Sequence, residues 1–446
     1  MDAASLSHLY RHHIQDLQAR YEELLRTAEL DAIVLHSGSL KKRSEFDDQY
    51  WPLRPVPHFQ HWAPLAQPDC ALLVTPGKPK PTLAWLKAFD FWEQPYAPES
   101  THFLESLDVV EIGHVEQVKE LISGRRSAFV GEDLSRAALW GTTETNPPAL
   151  LRALDALRTT KTAYEVVCLE EANRRAAKGH AALLEAFRSG SASELDLHLL
   201  YLKSTAQDDA ETPYKNIVAL NEHASTLHHV SYAKHPSGAA AQSLLVDAGA
   251  SFQGYCSDVT RTWVKGDGAT ASAFAALVAG VEAMQQRLCN AVAVGMPYES
   301  LHDESHRQVA GILHDVGIAQ LSDEELVAGG VTRAFFPHGL GHSLGLQCHD
   351  VGCALTKPRA DNPFLRNTSR IDVGQCFTIE PGVYFIDPLL APLRAKEPTS
   401  RGIDWKLVGE LAKLGGVRIE DDLVVVGGEK KLRNLTREVL PTGGGR

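Results

Sequence analysis

Four acidic residues and one histidine lie in segments where a charged side chain needs an explanation. Asp247 ends the apolar run SLLVD, and Asp258 follows in GYCSDVTRTW. Glu380 ends FTIE, Glu420 lies in GVRIEDD, and His342 lies in the glycine-rich segment PHGLGHSLGLQCHD. Carboxylates that end buried strands are costly unless a positive charge or hydrogen bonds compensate them. The five residues are therefore candidates for one shared cationic site.

A pair of divalent cations is the simplest compensation for four carboxylates and one imidazole. Two metal ions about 3.5–4 Å apart share bridging carboxylates and hold a hydroxide between them at neutral pH. A donor set rich in oxygen with one nitrogen suits Mn²⁺, and Co²⁺ or Zn²⁺ are the alternatives. The chemistry expected of such a site is hydrolysis.

Each of these residues also has an ordinary structural interpretation. An aspartate at the end of a strand commonly forms a turn. The glutamate in RIEDD suits a solvated strand edge, and His342 suits a hydrogen-bonded histidine of the core. Spacing alone leaves both interpretations open, and the case for two metal ions rests on the joint pattern.

The spacing of Asp247 and Asp258 predicts how the first two carboxylates meet. The two residues are eleven positions apart, with Gly249 and Gly254 between them. We interpret the segment as two neighbouring strands joined by a short turn, with the carboxylates at facing positions of one sheet.

Composition and charge exclude several classes of protein. The chain has 446 residues with 44 basic and 56 acidic side chains, which gives a net charge of −12. This acidic balance argues against nucleic acid or an anionic membrane as a partner. No stretch approaches the roughly 20 apolar residues of a membrane helix. The seven scattered cysteines contain no C-x-x-C pair, which favours a reduced, cytoplasmic protein.

The first part of the chain has the pattern of an α/β domain. Short apolar runs separated by turn residues alternate with helix-like stretches over residues 1–158. Within them, residues 40–69 are polar, aromatic and interrupted by prolines. A connection of this length is typical of a functional loop.

The pattern changes after residue 158, and residues 159–446 are predicted to form an α+β domain with antiparallel strands. Residues 162–188 are predicted to form one helix that ends at Gly190, and Ser191 with Glu194 predicts a capping box that starts the next helix. The further predicted elements are strands at 243–264, 374–386 and 417–427 and helices at about 271–294 and 298–316.

Five segments of the chain resemble the pita-bread metallopeptidase family in order and context: LLVDAGA, YCSDVTRTW, PHGLGHSLGLQCHD, FTIEPGVYF and GVRIEDD. That family includes methionine aminopeptidase, aminopeptidase P and prolidase. Within it the sequence is most similar to bacterial Xaa-Pro dipeptidases (prolidases), close to organophosphorus acid anhydrolase, in PHGLGHSLGLQCHDVG, VYFIDPLLAPLR and DDQYWPLRPVPHFQHW. The resemblance covers essentially the whole chain. It implies an α/β N-terminal domain followed by an α+β pita-bread catalytic domain.

The resemblance assigns roles to the five residues. It implies that Asp247, Asp258, His342, Glu380 and Glu420 ligate two divalent metal ions, with Asp258 and Glu420 bridging them. It also implies that a hydroxide between the ions attacks the Xaa-Pro bond of a dipeptide and releases proline. Glu380 would then move the proton of the water to the proline nitrogen.

By the same resemblance, other side chains face the substrate. His228, His338 and His349 would stabilise the oxyanion or orient the peptide carbonyl, and Tyr214 would line the substrate pocket. The ordinary alternatives are a surface pair of His228 with His229 and simple packing of Tyr214.

Two arginines are implied to measure the length of the substrate. Arg366 and Arg418 would hold the C-terminal carboxylate of a dipeptide, because a guanidinium forks onto a carboxylate with two hydrogen bonds. Arg418 has the alternative role of neutralising the anionic metal shell, and Arg370 competes with Arg366. The family also implies a homodimer, in which the aromatic loop 48–62, with Asp48, reaches the active site of the partner subunit.

Three cysteines adjoin these motifs. Cys348 and Cys353 stand where the family implies valine and glycine, and Cys256 lies two residues before Asp258. Thiols beside metal ions favour softer cations, which leaves the preferred metal open.

Two alternatives to a dipeptidase and one additional activity remain. An aminopeptidase acting on longer Xaa-Pro peptides is disfavoured by the loop LLAPLR and by Arg366, because a carboxylate clamp would clash with a continuing chain. A metal-free pita-bread binding module is disfavoured because all five ligand residues are present. Hydrolysis of phosphotriesters is an additional activity that the same hydroxide would permit.

Overall fold

The computed structural model describes residues 3–87, 91–92, 96–236, 240–353, 356–397, 399–428 and 432–446. The chain divides into two compact units, Met1–Val166 and Val167–Arg446. The predicted combination of an α/β and an α+β unit is confirmed. The predicted boundary after residue 158 stays a prediction.

A six-stranded mixed sheet forms the first unit. Its strands are β1 (Ala32–His36), β2 (Ala71–Val74), β3 (Thr82–Leu86), β4 (Asp108–Ile112), β5 (Ser127–Val130) and β6 (Glu144–Thr145), in the spatial order β4-β3-β2-β1-β5-β6. Strands β1, β2 and β5 are buried along their whole length, as expected of continuous apolar runs in a sheet covered on both faces. The helices are α1 (Ala3–Thr27), α2 (Pro57–Gln60), α3 (Val118–Ile122), α4 (Leu134–Trp140) and α5 (Pro148–Arg158).

The long connection at residues 40–69 contains only the short helix α2. Its second half is anchored, because Phe59 and Trp62 are fully buried. Its first half presents Phe46, Tyr50 and Trp51 to solvent. The second half of the connection therefore buries apolar side chains, whereas the first half exposes them.

The second unit begins within helix α6 (Ala163–Ser189) and, among the described residues, continues with further α-helices. These are α7 (Glu194–Thr205), α8 (Ala269–Ala291), α9 (Tyr298–Asp315), α10 (Asp323–Ala328), α11 (Val331–Phe335), α12 (Asp387–Ala395) and α13 (Trp405–Ala412). Within the described ranges, none of the helices combines the length with the apolar composition that a bilayer crossing requires.

The strands of the second unit form several small sheets. They are β7 (Ile217–Leu220), β8 (Ser243–Asp247), β9 (Ser251–Phe252), β10 (Tyr255–Cys256), β11 (Thr260–Val264), β12 (Cys376–Ile379), β13 (Gly382–Val383), β14 (Val417–Arg418), β15 (Asp421–Val425), β16 (Leu432–Asn434) and β17 (Gly444–Gly445). The sheets have the orders β17-β11-β8-β7, β12-β15-β16, β13-β14 and β10-β9. Helices α8 and α9 pack on these sheets through one apolar cluster that includes Leu277, Leu313, Ile379 and Ile419.

The predicted long helix is confirmed in α6, which ends directly before Gly190 with φ +103°. The predicted capping box of Ser191 and Glu194 is wrong. Ser193 caps α7 instead, because its side chain accepts from the Asp196 N–H and its own N–H donates to Asp196. The box is therefore shifted by two residues.

The segment between Asp247 and Asp258 differs in part from its prediction. Strands β8 and β11 are neighbouring and antiparallel, as predicted, but the hairpin β9-β10 lies between them in place of a short turn. Asp247 faces Thr260 in the ladder, and Asp258 lies two residues before that pair. The two carboxylates are therefore not at directly facing positions.

Glu380 and Glu420 lie at breaks in two paired strands. Ile379 pairs with Asp421 in the β12-β15 ladder, and Gly382 pairs with Arg418 in the β13-β14 ladder. Glu380 and Glu420 are thus opposite each other at the one interruption between the two ladders. The longer strands predicted at 374–386 and 417–427 are each split at that point.

The segment LLAPLR, interpreted above as a loop, lies in helix α12. Pro388 occupies the first turn, where a missing N–H costs no hydrogen bond, and Pro392 lies within the helix. Pro388 therefore lies at the start of a short helix, and the interpretation of LLAPLR as a loop is wrong.

Candidate metal centre

His342 lies among three carboxylates. Its Nε2 is 3.3 Å from Asp258 Oδ2, 3.6 Å from Glu380 Oε1 and 3.9 Å from Glu420 Oε1. The exposed fractions of these side chains are 3% for His342, 7% for Asp258, 2% for Glu420 and 17% for Glu380. Glu380 is therefore the carboxylate most accessible to water and substrate.

Strand β12 positions His342 through backbone hydrogen bonds. The Thr378 N–H donates to the His342 carbonyl oxygen at 2.9 Å, and the Glu380 N–H donates to the Leu340 carbonyl oxygen at 2.8 Å. The Nδ1–H of His342 donates to the Ser343 carbonyl oxygen at 3.1 Å. This contact directs the lone pair of Nε2 toward the carboxylates, which is the arrangement of a metal-binding histidine.

Gly341 permits this close approach. A Cβ at position 341 would lie 2.3 Å from the Thr378 carbonyl oxygen and 2.3 Å from the Tyr298 hydroxyl. Both neighbours are buried, so neither side chain nor backbone has room to move away. The second glycine of PHGLGH is therefore required by packing.

We expect Gly341→Ala to lower the free energy of unfolding by about 2 to 3 kcal/mol, because the added methyl overlaps the β12 backbone. Calorimetry of the full chain measures the change. Gly409→Ala is the matched control: Gly409 lies in α13 with open space around its Cβ position, so the substitution should stabilise by about 0.5 to 1 kcal/mol. Equal effects of the two substitutions would contradict the packing argument.

Asp247 is held beside this group by Arg418. The Arg418 Nη2 donates to Asp247 Oδ2 at 2.6 Å, whereas Asp247 Oδ1 is buried and accepts no hydrogen bond within the described residues. The Tyr214 hydroxyl lies close enough to act on Asp247, but it donates its single hydrogen to Asp258 Oδ1 at 2.5 Å. An unsatisfied carboxylate oxygen in a buried site fits a cation ligand.

The charges of the centre also fit a cation. Burial raises the pKa of Glu380 to about 7 and raises the pKa values of Asp247 and Glu420. Burial is the largest single influence on His342 and lowers its pKa, but the hydrogen bond to Asp258 and the negative charges of Glu380 and Asp258 together outweigh it and raise the pKa to about 9. These raised pKa values mean that these three carboxylates and His342 take up protons when no cation is bound between them. The five side chains therefore fit divalent cations.

His338 belongs to a hydrogen-bonded chain at the edge of the centre. Arg418 Nη1 donates to the Tyr384 hydroxyl at 2.9 Å, and this hydroxyl is 2.8 Å from His338 Nε2. The Nδ1–H of His338 donates to the Gly339 carbonyl oxygen at 2.8 Å. Burial lowers the pKa of His338 to about 3, so its ring is neutral at pH 7. Both ring nitrogens are used within the protein.

The other two predicted histidines are exposed. The His349 ring lies edge-on to the His342 ring, with 4.4 Å between centroids. Desolvation of its packed face and then the charge of His342 lower the pKa of His349 to about 4, which leaves it neutral at pH 7. His228 lies close enough to His338 and His349 to lower the pKa of both, although burial has the larger effect. The three histidines therefore lie near one another.

The two predicted arginines have different surroundings. Arg418 is buried, and besides Asp247 and Tyr384 it donates from Nε to Thr260 Oγ1 at 3.2 Å. All three of its nitrogens are thus bonded within the protein. Arg366 is exposed and close enough to His349 to lower the pKa of that ring, after burial and His342.

Three residues that support the centre were not predicted from the sequence. Tyr384 joins Arg418 to His338, Thr260 donates to Glu420 Oε2 at 2.7 Å, and Asp422 accepts the Asp258 N–H at 3.1 Å. Each lies within four residues of a predicted ligand. The sequence signal for these three residues was therefore their position inside a motif. That signal did not identify the hydrogen-bond partner of any of them.

Comparison with known proteins agrees with this architecture. Residues 167–427 match the model of metallopeptidase family M24, and residues 8–156 match that of the Xaa-Pro dipeptidase N-terminal domain. Curated relatives named Xaa-Pro dipeptidase are 39% identical in Pseudoalteromonas atlantica, over 97% of this chain and 99% of the relative, and 41% identical in Xanthomonas campestris pv. campestris, over 99% of both.

Solved structures show the same fold. Aminopeptidase PepP of Pseudomonas aeruginosa has a TM-score of 0.72 at 22% identity, with 95% of each chain covered. Proline aminopeptidase P II of Yersinia pestis has a TM-score of 0.70 at 22% identity, with 97% of this chain and 96% of that chain covered. The expected pita-bread fold is confirmed. Together with the family models, these findings show that the chain belongs to metallopeptidase family M24.

Proposed function

We propose that the protein hydrolyses Xaa-Pro dipeptides and releases C-terminal proline, at a centre of two divalent metal ions. The family of metallopeptidases implies bound metal, and the curated relatives are named Xaa-Pro dipeptidase. The observation that supports the proposal most directly is the convergence of three carboxylates on His342 Nε2 within 3.9 Å.

The proposed ligands are Asp247, Asp258, His342, Glu380 and Glu420, and these five side chains would hold the two ions. Bound divalent cations lower the pKa of water and polarise a carbonyl group. We propose Mn²⁺ because oxygen donors outnumber the single nitrogen, with Co²⁺ and Zn²⁺ as alternatives.

The remaining catalytic roles are assigned to individual side chains. Glu380, the most exposed carboxylate, takes the proton of the attacking water and passes it to the proline nitrogen. His349, which is exposed and packs edge-on against His342, and His228, which is also exposed, donate hydrogen bonds to the oxyanion. His338 orients Tyr384 and lies 3.7 Å from Glu380 Oε2. Tyr214 fixes Asp258 from the pocket side.

Arg366 is the proposed clamp for the substrate carboxylate. It is exposed, near His349, whereas Arg418 uses its nitrogens to hold Asp247, Tyr384 and Thr260. This division assigns Arg418 the second of its two predicted roles, neutralisation of the anionic centre. A clamp on the carboxylate also favours a dipeptidase over an aminopeptidase.

Three substrates test this proposal: a Xaa-Pro dipeptide, its C-terminal amide and a Xaa-Pro-Xaa tripeptide. We expect the wild-type kcat/KM to be about 10- to 100-fold higher for the dipeptide, because charge-assisted hydrogen bonds contribute about 1.5 to 3 kcal/mol. Arg366→Ala should remove this preference by lowering turnover of the dipeptide alone. Arg418→Ala, the matched control, should lower turnover of all three substrates.

The outcomes separate the alternatives. Faster turnover of the tripeptide than of the dipeptide would indicate an aminopeptidase. A preference for the dipeptide that survives Arg366→Ala and disappears in Arg418→Ala would assign the clamp to Arg418. Metal content measured on the same preparations shows whether either variant has lost the centre.

We also propose a cytoplasmic homodimer. All seven cysteines lie in the described part of the chain as thiols, which suits a reducing compartment. The exposed Phe46, Tyr50 and Trp51 of the long connection suit a surface that a second copy covers. Hydrolysis of phosphotriesters by the same centre stays a prediction.

A further inference from the structure

One sulfur atom lies against the candidate metal centre. Cys348 Sγ is 2.9 Å from Asp258 Oδ2, the oxygen that also lies 3.3 Å from His342 Nε2. The ligand atoms of His342, Cys348 and His349 all lie within 4.8 Å of one another. A thiol and an imidazole therefore both lie close to the same carboxylate oxygen.

These separations are in the range of those between ligands of one cation. With metal–sulfur and metal–nitrogen bonds of about 2.3 and 2.0 Å, two ligands of a tetrahedral ion are about 3.5 Å apart. The distance of 2.9 Å between Cys348 Sγ and Asp258 Oδ2 would have to lengthen by roughly half an ångström for both atoms to bind one cation. We propose that Cys348 is a soft ligand of the cation held by Asp258, His342 and Glu420, and that it raises the affinity of this centre for Co²⁺, Zn²⁺ and Cd²⁺ relative to Mn²⁺.

The chemistry of the donors gives the direction of the effect. The five proposed ligands offer carboxylate oxygens and one imidazole nitrogen, a set that suits hard or borderline cations. A thiolate is soft and adds strength mainly toward Co²⁺, Zn²⁺ and Cd²⁺. On binding, the Sγ–metal bond forms as the S–H bond breaks, and the proton leaves to solvent. This inference rests on the proposed metal centre.

Cys353 provides a matched comparison within the same segment. It lies five residues after Cys348 and is also partly buried, but its Sγ accepts the Ser343 N–H at 3.3 Å. Its sulfur is thus engaged by the backbone beside His342. Substitution of Cys353 changes the number of thiols near the centre without removing the proposed ligand.

Absorption spectra of the Co²⁺-loaded full chain test the inference. We expect a sulfur-to-cobalt charge-transfer band in the near ultraviolet for the wild type and for Cys353→Ser, and its loss in Cys348→Ser and Cys348→Val. Competition titrations should show Cd²⁺ affinity falling by about 10-fold or more in Cys348→Ser, with Mn²⁺ affinity changed by less than about threefold. Mn²⁺ stoichiometry equal to that of the wild type shows that the variants retain the centre.

Two kinds of result would contradict the inference, and the experiment distinguishes them. Wild-type protein that binds Co²⁺ without a charge-transfer band, or a band that survives in Cys348→Ser, would overturn the role of Cys348 and leave the metal centre intact. Co²⁺ binding that is unaffected by Asp258→Asn would overturn the metal centre and this inference together.

Discussion

Asp258→Asn is expected to lower kcat/KM for a Xaa-Pro dipeptide by at least about 10³-fold and to reduce the bound metal per chain. The substitution preserves the shape of the side chain but removes the negative charge of a proposed metal ligand. Metal-assisted stabilisation contributes several kcal/mol, and each factor of ten corresponds to about 1.4 kcal/mol. Turnover assays and elemental analysis of the dialysed protein measure the two effects.

The contacts of Asp258 hold its carboxylate in a fixed position. Its two carboxylate oxygens contact Tyr214, Cys348 and His342, and its N–H is held by Asp422. Asp267→Asn is the control, because it removes the same charge from a fully exposed side chain. It should leave metal content and turnover unchanged. An Asp258→Asn protein with wild-type activity would remove the basis of the proposed centre.

Glu380→Gln is expected to lower kcat by about 10²- to 10⁴-fold, the usual contribution of a positioned proton carrier. An amide cannot accept the proton of water, although it retains the size of the side chain. The measurement is kcat and KM at saturating metal, together with metal content. We expect the loss to lie mainly in kcat.

Glu420→Gln provides the contrast. Glu420 is almost completely buried and accepts from Thr260, whereas Glu380 is the accessible carboxylate. Glu420→Gln should therefore lose metal in proportion to activity, and Glu380→Gln should lose activity to a greater extent than metal. A Glu380→Gln protein that keeps more than about a tenth of kcat with its metal sites filled would argue against a proton-transfer role.

Local signals in the sequence predicted the features that depend mainly on neighbouring residues of the chain. Long helices such as α6 follow from periodicity and end at a glycine with positive φ. The resemblance of the motifs to the pita-bread family also predicted that Asp258, His342, Glu380 and Glu420 meet, whereas their spacing alone left this open. Gly341 provides the close backbone approach that one of these motifs requires. The two-unit architecture followed from the same patterns.

The misplaced cap shows where local signals fail. Both Ser191 with Glu194 and Ser193 with Asp196 fit a capping box. The Glu194 side chain is fully buried and accepts from the Leu220 and Ala233 N–H groups and from His223 and His229. These partners come from distant residues of the second unit, so its side chain is not available to cap the helix. Tertiary contacts decided between two equally good local patterns.

The features of the metal centre also divide into those that follow from the sequence and those that follow from the tertiary structure. The sequence by itself determined which residue types were present, and the family resemblance of the motifs pointed to a shared cationic site for four carboxylates. Only the tertiary structure decided that Glu380 and Glu420 face each other at a break between two ladders, and that Arg418 bonds to Asp247. The ladder pairs that flank this break join residues 36 and 42 positions apart, and the contact of Arg418 with Asp247 joins residues 171 positions apart. No local pattern specifies either.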